Sequence, residues 1–304
     1  MIVITAPTGN IGRRLLSLLV EHGEELRVVV RDPARLPEAV RERVEVITGS
    51  HGDAATVERA FAGADAVFWL VPPDASTTPE ETFSGFTRPA ARAFATHSVG
   101  HSVGHVVGVS ALGRSTPQAA QAGLVTASLA MDDLIAGSGV AYRALTCPSF
   151  FENLLEEADS IRENGVFTDT VAADRPAPLV AVADIAAAAA KLLLDRSWTG
   201  VGGVPVLGPQ DLSPNDLARI MSEELGRPVR YRRQSLDELR STLLGYGLNA
   251  AFVEGVVDMK RAKDQGLDAG VDRSPQPGAT GFARWCAETL RPAVLATPEA
   301  ADAR

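Results

Sequence analysis

The amino-acid sequence predicts a doubly wound α/β fold, in which helices cover both faces of a parallel β-sheet. Over the first 150 residues, short apolar runs alternate with stretches whose apolar residues recur at helical spacing, as at Ile11, Leu15 and Leu19. The short runs are apolar on both faces, which is typical of strands in a buried parallel sheet. The first of them leads through a glycine-containing turn into a helix, as in a βαβ unit.

The elements of the first half follow in order along the chain. The predicted strands cover residues 2–5, 27–30, 44–47, 66–71, 106–110 and 142–145. The predicted helices lie around residues 11–19, 53–61, 81–95 and 118–136. Asp53 marks the start of the second helix, and Pro72 with Pro73 ends the fourth strand.

After Phe150 the alternation of strands and helices becomes less regular. The predicted helices cover residues 153–161, 183–194, 213–225, 235–244 and 281–290, and the predicted strands lie within 166–174, 204–207 and 229–232. Ser213 and Ser235 are predicted N-caps, because a serine hydroxyl accepts a hydrogen bond from a free N–H of the first helical turn. Residues 274–280, rich in Pro and Gly, are predicted to form a loop.

This pattern predicts two lobes with a cleft between them. The first covers residues 1–150, and residues 180–208 return to it. The second is a smaller α+β lobe over residues 151–292, and residues 293–304 are predicted to be a polar tail.

Composition excludes several classes of protein. The formal net charge is −9 and no run of basic residues is present, so nucleic acid is not an expected partner. No apolar run approaches the roughly 18 residues that a membrane span needs. The chain opens on an apolar strand without a basic leader, and its two cysteines suit a reducing compartment, so we expect a cytoplasmic protein. The sequence leaves the oligomeric state open.

The strongest functional signal is the turn TAPTGNIG at residues 5–12, between the first strand and the first helix. Gly9 allows a backbone to approach a pyrophosphate closely, and Gly12 allows the helix to pack tightly. The N–H groups at the helix N-terminus add donors and partial positive charge. A purely structural turn is the alternative. The predicted nucleotide-binding residues of the turn are Ala6, Thr8, Gly9, Asn10, Ile11 and Gly12.

Arg31 stands at the tip of the second strand, where the type of residue selects the nucleotide. An acidic residue there binds the ribose 2′-hydroxyl of NAD, whereas an arginine suits the 2′-phosphate of NADP. Asp32, one residue later, is interpreted as a cap of the following loop. We therefore predict that NADP(H) is preferred over NAD(H), with an ordinary surface role for Arg31 as the alternative.

Several segments together resemble the NmrA-like family, an atypical branch of the short-chain dehydrogenase/reductase superfamily. They are TAPTGNIG (5–12), VVVRDP (28–33), FAGADAVFWLVPP (61–73), HVVGVSALG (105–113), SGVAYRAL (138–145), FFENLL (150–155), VADIAAAAAKLL (182–193) and LGPQDLSPNDLARIMSEELGRPVRY (207–231). The resemblance implies a Rossmann-type fold and one of two activities. Members are either NADPH-dependent reductases of quinones and aromatic compounds or regulators that sense the redox state of a bound nucleotide. This chain departs from the family by having Ala6 in place of the first glycine, and Gly49, Ser50 and His51 where relatives often carry Gly-Asp after the third strand.

The carboxyl ends of the strands are the predicted place of the nicotinamide and the substrate. The residues expected around the nicotinamide are Leu70, Val71, Pro72, Ser110, Pro148 and Ser149. The residues expected to contact substrate are Trp69, Phe150 and Phe151. Trp69 faces either the cofactor or the core, and ordinary packing is the alternative for all three aromatic side chains.

Catalysis cannot follow the superfamily's usual scheme, in which a tyrosine transfers the proton and a lysine four residues later lowers its pKa. The three tyrosines, Tyr142, Tyr231 and Tyr246, are followed at that spacing by Thr, Ser and Ala. By their distance from residues 138–139, Ser128 and Asp132 occupy the positions of the pair. Ser110 matches the superfamily's serine and is the weak catalytic candidate; closing the turn after its strand is the alternative.

We therefore predict an NADPH-dependent reductase of a quinone-like or aromatic small molecule. A conjugated acceptor spreads the incoming charge over its own π-system and takes its proton from water, so a site without the tyrosine suits it. The alternatives are a non-catalytic NADP(H)-sensing regulator that acts through a protein partner, and a tailoring enzyme of secondary metabolism.

Two further features are interpreted as structural. His97, His101 and His105 recur at intervals of four in a tandem repeat, but Gly100 and Gly104 interrupt any helix that would align them. We predict a lengthened loop and no metal site. Cys147, which follows the sixth strand, is interpreted as a small buried apolar residue rather than a reactive thiol.

Overall fold

The computed structural model describes residues 1–96, 103–271 and 278–296. Its strands are β1 (Ile2–Thr5), β2 (Leu26–Val30), β3 (Glu45–Thr48), β4 (Ala66–Trp69), β5 (His105–Ala111), β6 (Ala141–Cys147), β7 (Ser149–Phe150), β8 (Val166–Asp169), β9 (Ala177–Val180), β10 (Val201–Pro205), β11 (Asp211–Leu212) and β12 (Arg230–Arg233).

The α-helices are α1 (Asn10–Glu21), α2 (Glu38–Arg41), α3 (Ala54–Phe61), α4 (Phe86–Thr96), α5 (Leu124–Ala136), α6 (Ala158–Asn164), α7 (Val182–Leu194), α8 (Pro214–Leu225), α9 (Leu236–Gly245), α10 (Ala250–Asp264), α11 (Phe282–Trp285) and α12 (Arg291–Leu295). Turns of 3₁₀-helix lie at Pro33–Arg35, Pro117–Gln121 and Phe151–Glu157. Single π-helical turns precede α4 at Glu81–Gly85 and follow α11 at Cys286–Leu290.

Seven parallel strands form the central sheet in the order β10-β6-β5-β4-β1-β2-β3. The chain proceeds outward from β1 to β3 and then returns to place β4 on the other side of β1. The predicted doubly wound fold is confirmed. Because the direction of winding changes between β1 and β4, their carboxyl ends flank the crevice where such sheets bind ligands.

Each face of the sheet is covered by helices. One face packs against α1 and α7, which bury Leu15 and Ile185 completely. The other packs against α3, α4 and α5, with Phe61 and Phe94 stacked between the first two. A third core lies in the second lobe around α6, α8 and α11, where two short sheets, β11-β9-β7 and β12-β8, complete the structure.

The strands predicted in the first half are all present, each with its ends within two residues of the prediction. The predicted N-caps Ser213 and Ser235 are confirmed, since each hydroxyl accepts from the N–H three residues later. The helix predicted over residues 118–136 is divided, because Gly123 has a φ of +53° and its backbone contacts Gly255. Only α5 and the preceding 3₁₀ turn are helical there.

The sequence interpretation missed α10 entirely. Its apolar residues do not form one stripe, and a glycine at its centre lowers the helix propensity. That residue, Gly255, is required by packing: a Cβ at this position would lie 2.7 Å from Cγ of Pro79. Tertiary contact with the first lobe therefore decided this element.

The C-terminal boundary is also corrected. The tail was predicted to begin at residue 293, yet Val294 belongs to α12 and is 1% exposed in the core of the second lobe. Residues 297–304 lie outside the described part of the chain, as do residues 272–277, which include most of the predicted loop, and His97 and His101 of the repeat.

Candidate functional site

The turn between β1 and α1 is closed tightly by its own backbone. Ala6 has a φ of +48° and is the one described residue other than glycine with a positive φ. The N–H of Gly9 donates to the carbonyl oxygen of Ala6 at 3.1 Å. Glycine usually occupies a position with positive φ, because a residue with a Cβ is strained there. This explains the glycine of the family at position 6, and Ala6 adopts the same backbone conformation with strain.

Gly12 is held against this turn. A Cβ at position 12 would lie 2.1 Å from the carbonyl oxygen of Ala6, whereas one at Gly9 would lie at an ordinary 3.4 Å. Gly9 is the N-cap of α1 and brings no side chain to the helix terminus, so the first N–H groups of α1 are not capped by a side chain. Backbone donors and the helix dipole are thus available to an anion at this point.

Thr5 joins the two strands that flank the crevice. Its buried hydroxyl donates to the carbonyl oxygen of Phe68 and accepts from the N–H of Leu70, each at 2.9 Å. The segment that follows β4 is thereby fixed beside the glycine turn. Leu70 is half-buried and Pro72 is exposed, while Val71 is buried between them.

Arg31 and Asp32 follow β2 at the same edge of the sheet. Both are exposed, and Asp32 accepts from the N–H of Ala34 at 3.0 Å, which confirms its interpretation as a cap. Within the described part of the chain, the guanidinium of Arg31 makes no hydrogen bond or ion pair. It is therefore available to an anionic group at the end of β2.

His51 is a residue of this edge that the sequence interpretation did not assign. Its Nε2 lies 3.0 Å from the carbonyl oxygen of Leu70, and its ring packs edge-on against Trp69 and Phe86. Burial lowers the pKa of His51 to about 4, and the positive charge of Arg31 acts in the same direction, so the ring is neutral at pH 7. The departure from the family's Gly-Asp at this point was the available signal.

Two of the aromatic side chains predicted to contact substrate belong to the cores instead. Trp69 is fully buried, and its indole N–H donates to the hydroxyl of Thr87 at 3.1 Å. Phe151 is 2% exposed and packs between Phe282 and Trp285. The structure corrects both expectations, because strand alternation and lobe packing turn these rings inward. Phe150, which is half-buried in β7, stays a prediction.

The predicted contacts after β6 are not equivalent to one another. Pro148 is buried, and Ser149 is half-buried in β7, where it pairs with Leu179 of β9. The next residue after Phe151, Glu152, is buried and accepts from the N–H of Val182 at the start of α7. This segment therefore joins the second lobe to the first.

Ser110 does not present a free hydroxyl. It is 6% exposed and donates to Oδ2 of Asp132 in α5. Tyr142 donates to Oδ1 of the same carboxylate at 2.6 Å, and Gly108 leaves room for its ring, since a Cβ there would lie 2.4 Å from the tyrosine hydroxyl. The catalytic role of Ser110 stays a prediction, and the structure adds that a buried carboxylate accepts its proton.

The tyrosines and the lysines of the second lobe make separate structural contacts. Tyr142 is fully buried, and its pKa is raised by burial and by Asp132. Tyr231 donates to backbone carbonyls of the second lobe, and Tyr246 is 74% exposed beyond α9. Lys260 and Lys263 form ion pairs with carboxylates of the second lobe and of the segment after α10.

The remaining candidates have local structural contacts. His105 packs edge-on against Trp198, with its Nε2 3.0 Å from that residue's carbonyl oxygen. Within the described residues, no group of three or more His, Cys, Asp or Glu side chains is placed to hold a metal ion. Cys147 is buried, and burial raises the pKa of its thiol. None of the helices in the described segments is both long and apolar enough to cross a membrane.

Three proteins similar in sequence extend across most of the chain. A (4-alkanoyl-5-oxo-2,5-dihydrofuran-3-yl)methyl phosphate reductase of Streptomyces griseus is 32% identical, over 80% of each chain. An NAD(P)H azoreductase of Xenophilus azovorans is 28% identical over 85% of this chain and 86% of its own. Quinone oxidoreductase 2 of Escherichia coli is 24% identical over 89% of each chain.

Solved structures share the fold at lower identity. Triphenylmethane reductase of Citrobacter sp., crystallised with NADP(H), has a TM-score of 0.79 at 18% identity and matches 97% of this chain and all of its own. NmrA, a negative transcriptional regulator crystallised with NADP, has a TM-score of 0.71 at 14% identity, over 95% of this chain and 94% of its own.

The family model of NAD(P)H-binding proteins matches residues 7–196, which include Gly9, Gly12 and Arg31. The resemblance to NmrA-like, atypical short-chain dehydrogenase/reductase proteins that the motifs predicted is confirmed. The chain belongs to the NAD(P)H-binding family and has the fold of its NmrA-like members.

Proposed function

We propose that this protein is an NADPH-dependent reductase of conjugated small molecules of the quinone or aromatic type. The observation that carries the proposal is the turn at residues 5–12, whose uncapped helix N-terminus stands at the crevice between β1 and β4. The relatives support the reaction class, since those named above reduce a furanone phosphate, an azo compound and a quinone, all conjugated acceptors.

The residues of the crevice fit a dinucleotide. The N–H groups at the start of α1 would donate to the pyrophosphate, and Gly9 at the N-cap places no side chain between them. Gly12 lets the helix pack closely against the backbone of the turn. Leu70, Val71 and Pro72 would border the nicotinamide, together with Ser149. A reduced nicotinamide nucleotide supplies a hydride when it is bound.

The chain's own contribution to such a reaction is orientation. None of the three tyrosines lies four residues before a lysine. An acceptor that delocalises the incoming negative charge depends less on a positioned acid, and placing its ring over the nicotinamide lowers the barrier by proximity. Phe150, half-buried beside Ser149, is the aromatic side chain that we place against the acceptor.

The nucleotide preference is tested with Arg31→Ala. Calorimetric titration should show NADPH weakened by about 10- to 100-fold, the value of a charge-assisted hydrogen bond, and NADH nearly unaffected. Arg219→Ala, at an exposed arginine of α8 in the second lobe, is the matched control and should change neither affinity. Equal losses for both nucleotides on Arg31→Ala would overturn the proposed preference for NADP(H).

The activity is tested by following NADPH oxidation with a panel of quinones, azo dyes and unconjugated ketones. We expect turnover of conjugated acceptors and none of the ketones. Absence of turnover with every acceptor, while NADPH binds, would favour the second candidate: a nucleotide-sensing protein that acts through a protein partner. The observation that favours this candidate is that Ser110 and Tyr142 both donate to a buried carboxylate rather than to an open site.

A further inference from the structure

A buried carboxylate connects the end of β5 to α5 and β6. Asp132 is 3% exposed and accepts from Ser110 and Tyr142 through its two different oxygens. The guanidinium of Arg114, in the loop after β5, lies 3.4 Å from the oxygen that Ser110 contacts. Both oxygens of the carboxylate thus accept hydrogen bonds, and their donors come from β5, from the loop after β5 and from β6.

The position of Ser110 in the sheet connects this cluster to the crevice. In the parallel register Trp69 pairs with Gly108, so Ser110 is level with Val71, just past the end of β4. Val71 belongs to the segment that borders the crevice beside Thr5. Ser110 is therefore the cluster member at the carboxyl edge where the proposed reaction takes place.

The protonation state of Asp132 determines whether the hydroxyl of Ser110 has a proton to donate to another group. A hydroxyl has one proton and two lone pairs. While Asp132 is ionised, the proton of Ser110 is committed to it, and Ser110 offers a substrate only lone pairs. When Asp132 is protonated, it donates to Ser110 instead, and the hydroxyl proton of Ser110 is released for an acceptor oxygen.

The surroundings of Asp132 favour its protonated state more than water does. Burial raises its pKa above the ordinary value for an aspartate, while the hydrogen bonds from Ser110 and Tyr142 and the charge of Arg114 offset this only in part. On α5 itself, the neighbouring Asp133 is exposed and paired with Arg114 at 2.7 Å. In the segment after α10, the carboxylate of Asp268 is paired with Lys263.

Asp132 also lines a cleft that shares no lining residue with the turn at residues 5–12 or with Leu70, Val71 and Pro72. This cleft of about 540 Å³ lies on the α5 side of the sheet, and both Asp132 and Tyr142 line it. Gly202 and Gly203 of the edge strand β10 line it without side chains, and Arg114 lines it as well. Water in this cleft would be placed to exchange protons with Asp132.

We propose that Asp132 is a positioning residue whose protonation decides whether Ser110 donates a hydrogen bond to the substrate or only accepts one. The inference rests on the proposed reductase function. In the balanced step, the acceptor's C=O or conjugated system gains a hydride from the bound reduced nucleotide, which is oxidised. The resulting oxyanion takes the proton of Ser110, Ser110 takes that of Asp132, and Asp132 is reprotonated from water in the cleft.

The test is the pH profile of kcat for a quinone, from pH 5 to pH 9, in four proteins. In the native protein kcat should fall above the pKa of Asp132 and level off at the rate of the reaction protonated by water, because a conjugated acceptor depends less on a positioned acid. Asp132→Asn donates an amide N–H to Ser110 at every pH, so its kcat should vary less than about twofold. Tyr142→Phe removes a hydrogen bond to the ionised carboxylate and should move the inflexion to higher pH. Asp237→Asn, at a 90% exposed side chain of α9, should leave the profile unchanged.

The outcomes separate this inference from the function on which it rests. No turnover at any pH, with any acceptor, counts against the reductase. Turnover in which Asp132→Asn keeps the native inflexion overturns the role of Asp132. If Asp132→Asn does not fold, Tyr142→Phe decides alone, and an unmoved inflexion in that variant overturns the inference.

Discussion

Two helix N-termini in this protein are built in opposite ways. At α8 the hydroxyl of Ser213 accepts from the N–H of Asp216, and the Asp216 carboxylate accepts from the N–H of Ser213, which forms a capping box. At α1 the cap residue is Gly9, which has no side chain to offer. At α8 the helix's own side chains accept from its first N–H groups, whereas at α1 these N–H groups have no side-chain acceptor.

The two termini also differ in where their constraints lie. The α8 cap is local, contained in four consecutive residues. The α1 turn depends on close backbone packing: Ala6 is held at a positive φ, and Gly12 lies against its carbonyl oxygen. A helix terminus without a side-chain cap needs a rigid turn to hold it, because no side chain accepts from its first N–H groups.

The largest effect is expected for Gly12→Ala. Its Cβ would overlap the carbonyl oxygen of Ala6, so we expect the unfolding free energy to fall by about 3 kcal/mol or more. Because the turn would have to move, we also expect nucleotide binding to be lost. Gly9→Ala is the matched control, since its Cβ has ordinary contacts. Urea denaturation should show Gly9→Ala close to the native protein, while calorimetry shows weaker NADPH binding. Similar stability in both variants would contradict the tight α1 turn.

The next effect is the acid sensitivity of the first lobe. The folded pKa of His51 is lowered from 6.5 to about 4, so between these values the unfolded chain binds the proton more readily than the folded one. Stability present above pH 6.5 is therefore lost as the pH falls toward 4, by about 2 kcal/mol between pH 7 and pH 5.

Urea denaturation at the two pH values checks this with His51→Gln, whose amide does not titrate. We expect His51→Gln to lose less stability than the native protein between pH 7 and pH 5. His22→Gln, at an exposed histidine after α1, should lose as much as the native protein. An unchanged acid loss in His51→Gln would show that other groups are responsible.

A smaller effect is expected at the closed terminus. Ser213→Ala removes the acceptor for the N–H of Asp216 and should lower the unfolding free energy by about 1 kcal/mol. Because this cap belongs to the second lobe and has no ligand role, NADPH affinity should stay within about twofold of native. A large loss of affinity would break the distinction between the two termini.

The smallest effect is a gain. Ala6→Gly relieves the strained φ, which costs about 1 kcal/mol for alanine, but adds chain entropy to the unfolded state. We expect a net stabilisation of about 0.5 kcal/mol, measured as a higher denaturation midpoint with an unchanged slope. Destabilisation would mean that the turn depends on the alanine methyl group.

Much of the fold was determined by local pattern. Apolar runs flanked by turns predicted the strands of the first half, and the serine hydroxyls at 213 and 235 predicted two helix starts. These features depend on neighbouring residues, so a single sequence contains them. The helix α10 cannot be predicted from local pattern in this way, since Gly255 at its centre is explained by its close contact with Pro79 of the other lobe.

The site divides in the same way. The sequence by itself determined the glycine turn, the arginine after β2 and the lack of a Tyr-Lys pair, because each is a matter of residue type at short spacing. Only the tertiary structure decided that Trp69 and Phe151 are core residues, that His51 lies against Leu70, and that Ser110 shares a carboxylate with Tyr142. Such contacts join residues distant in sequence, and burial in the packed fold decides which side chains meet.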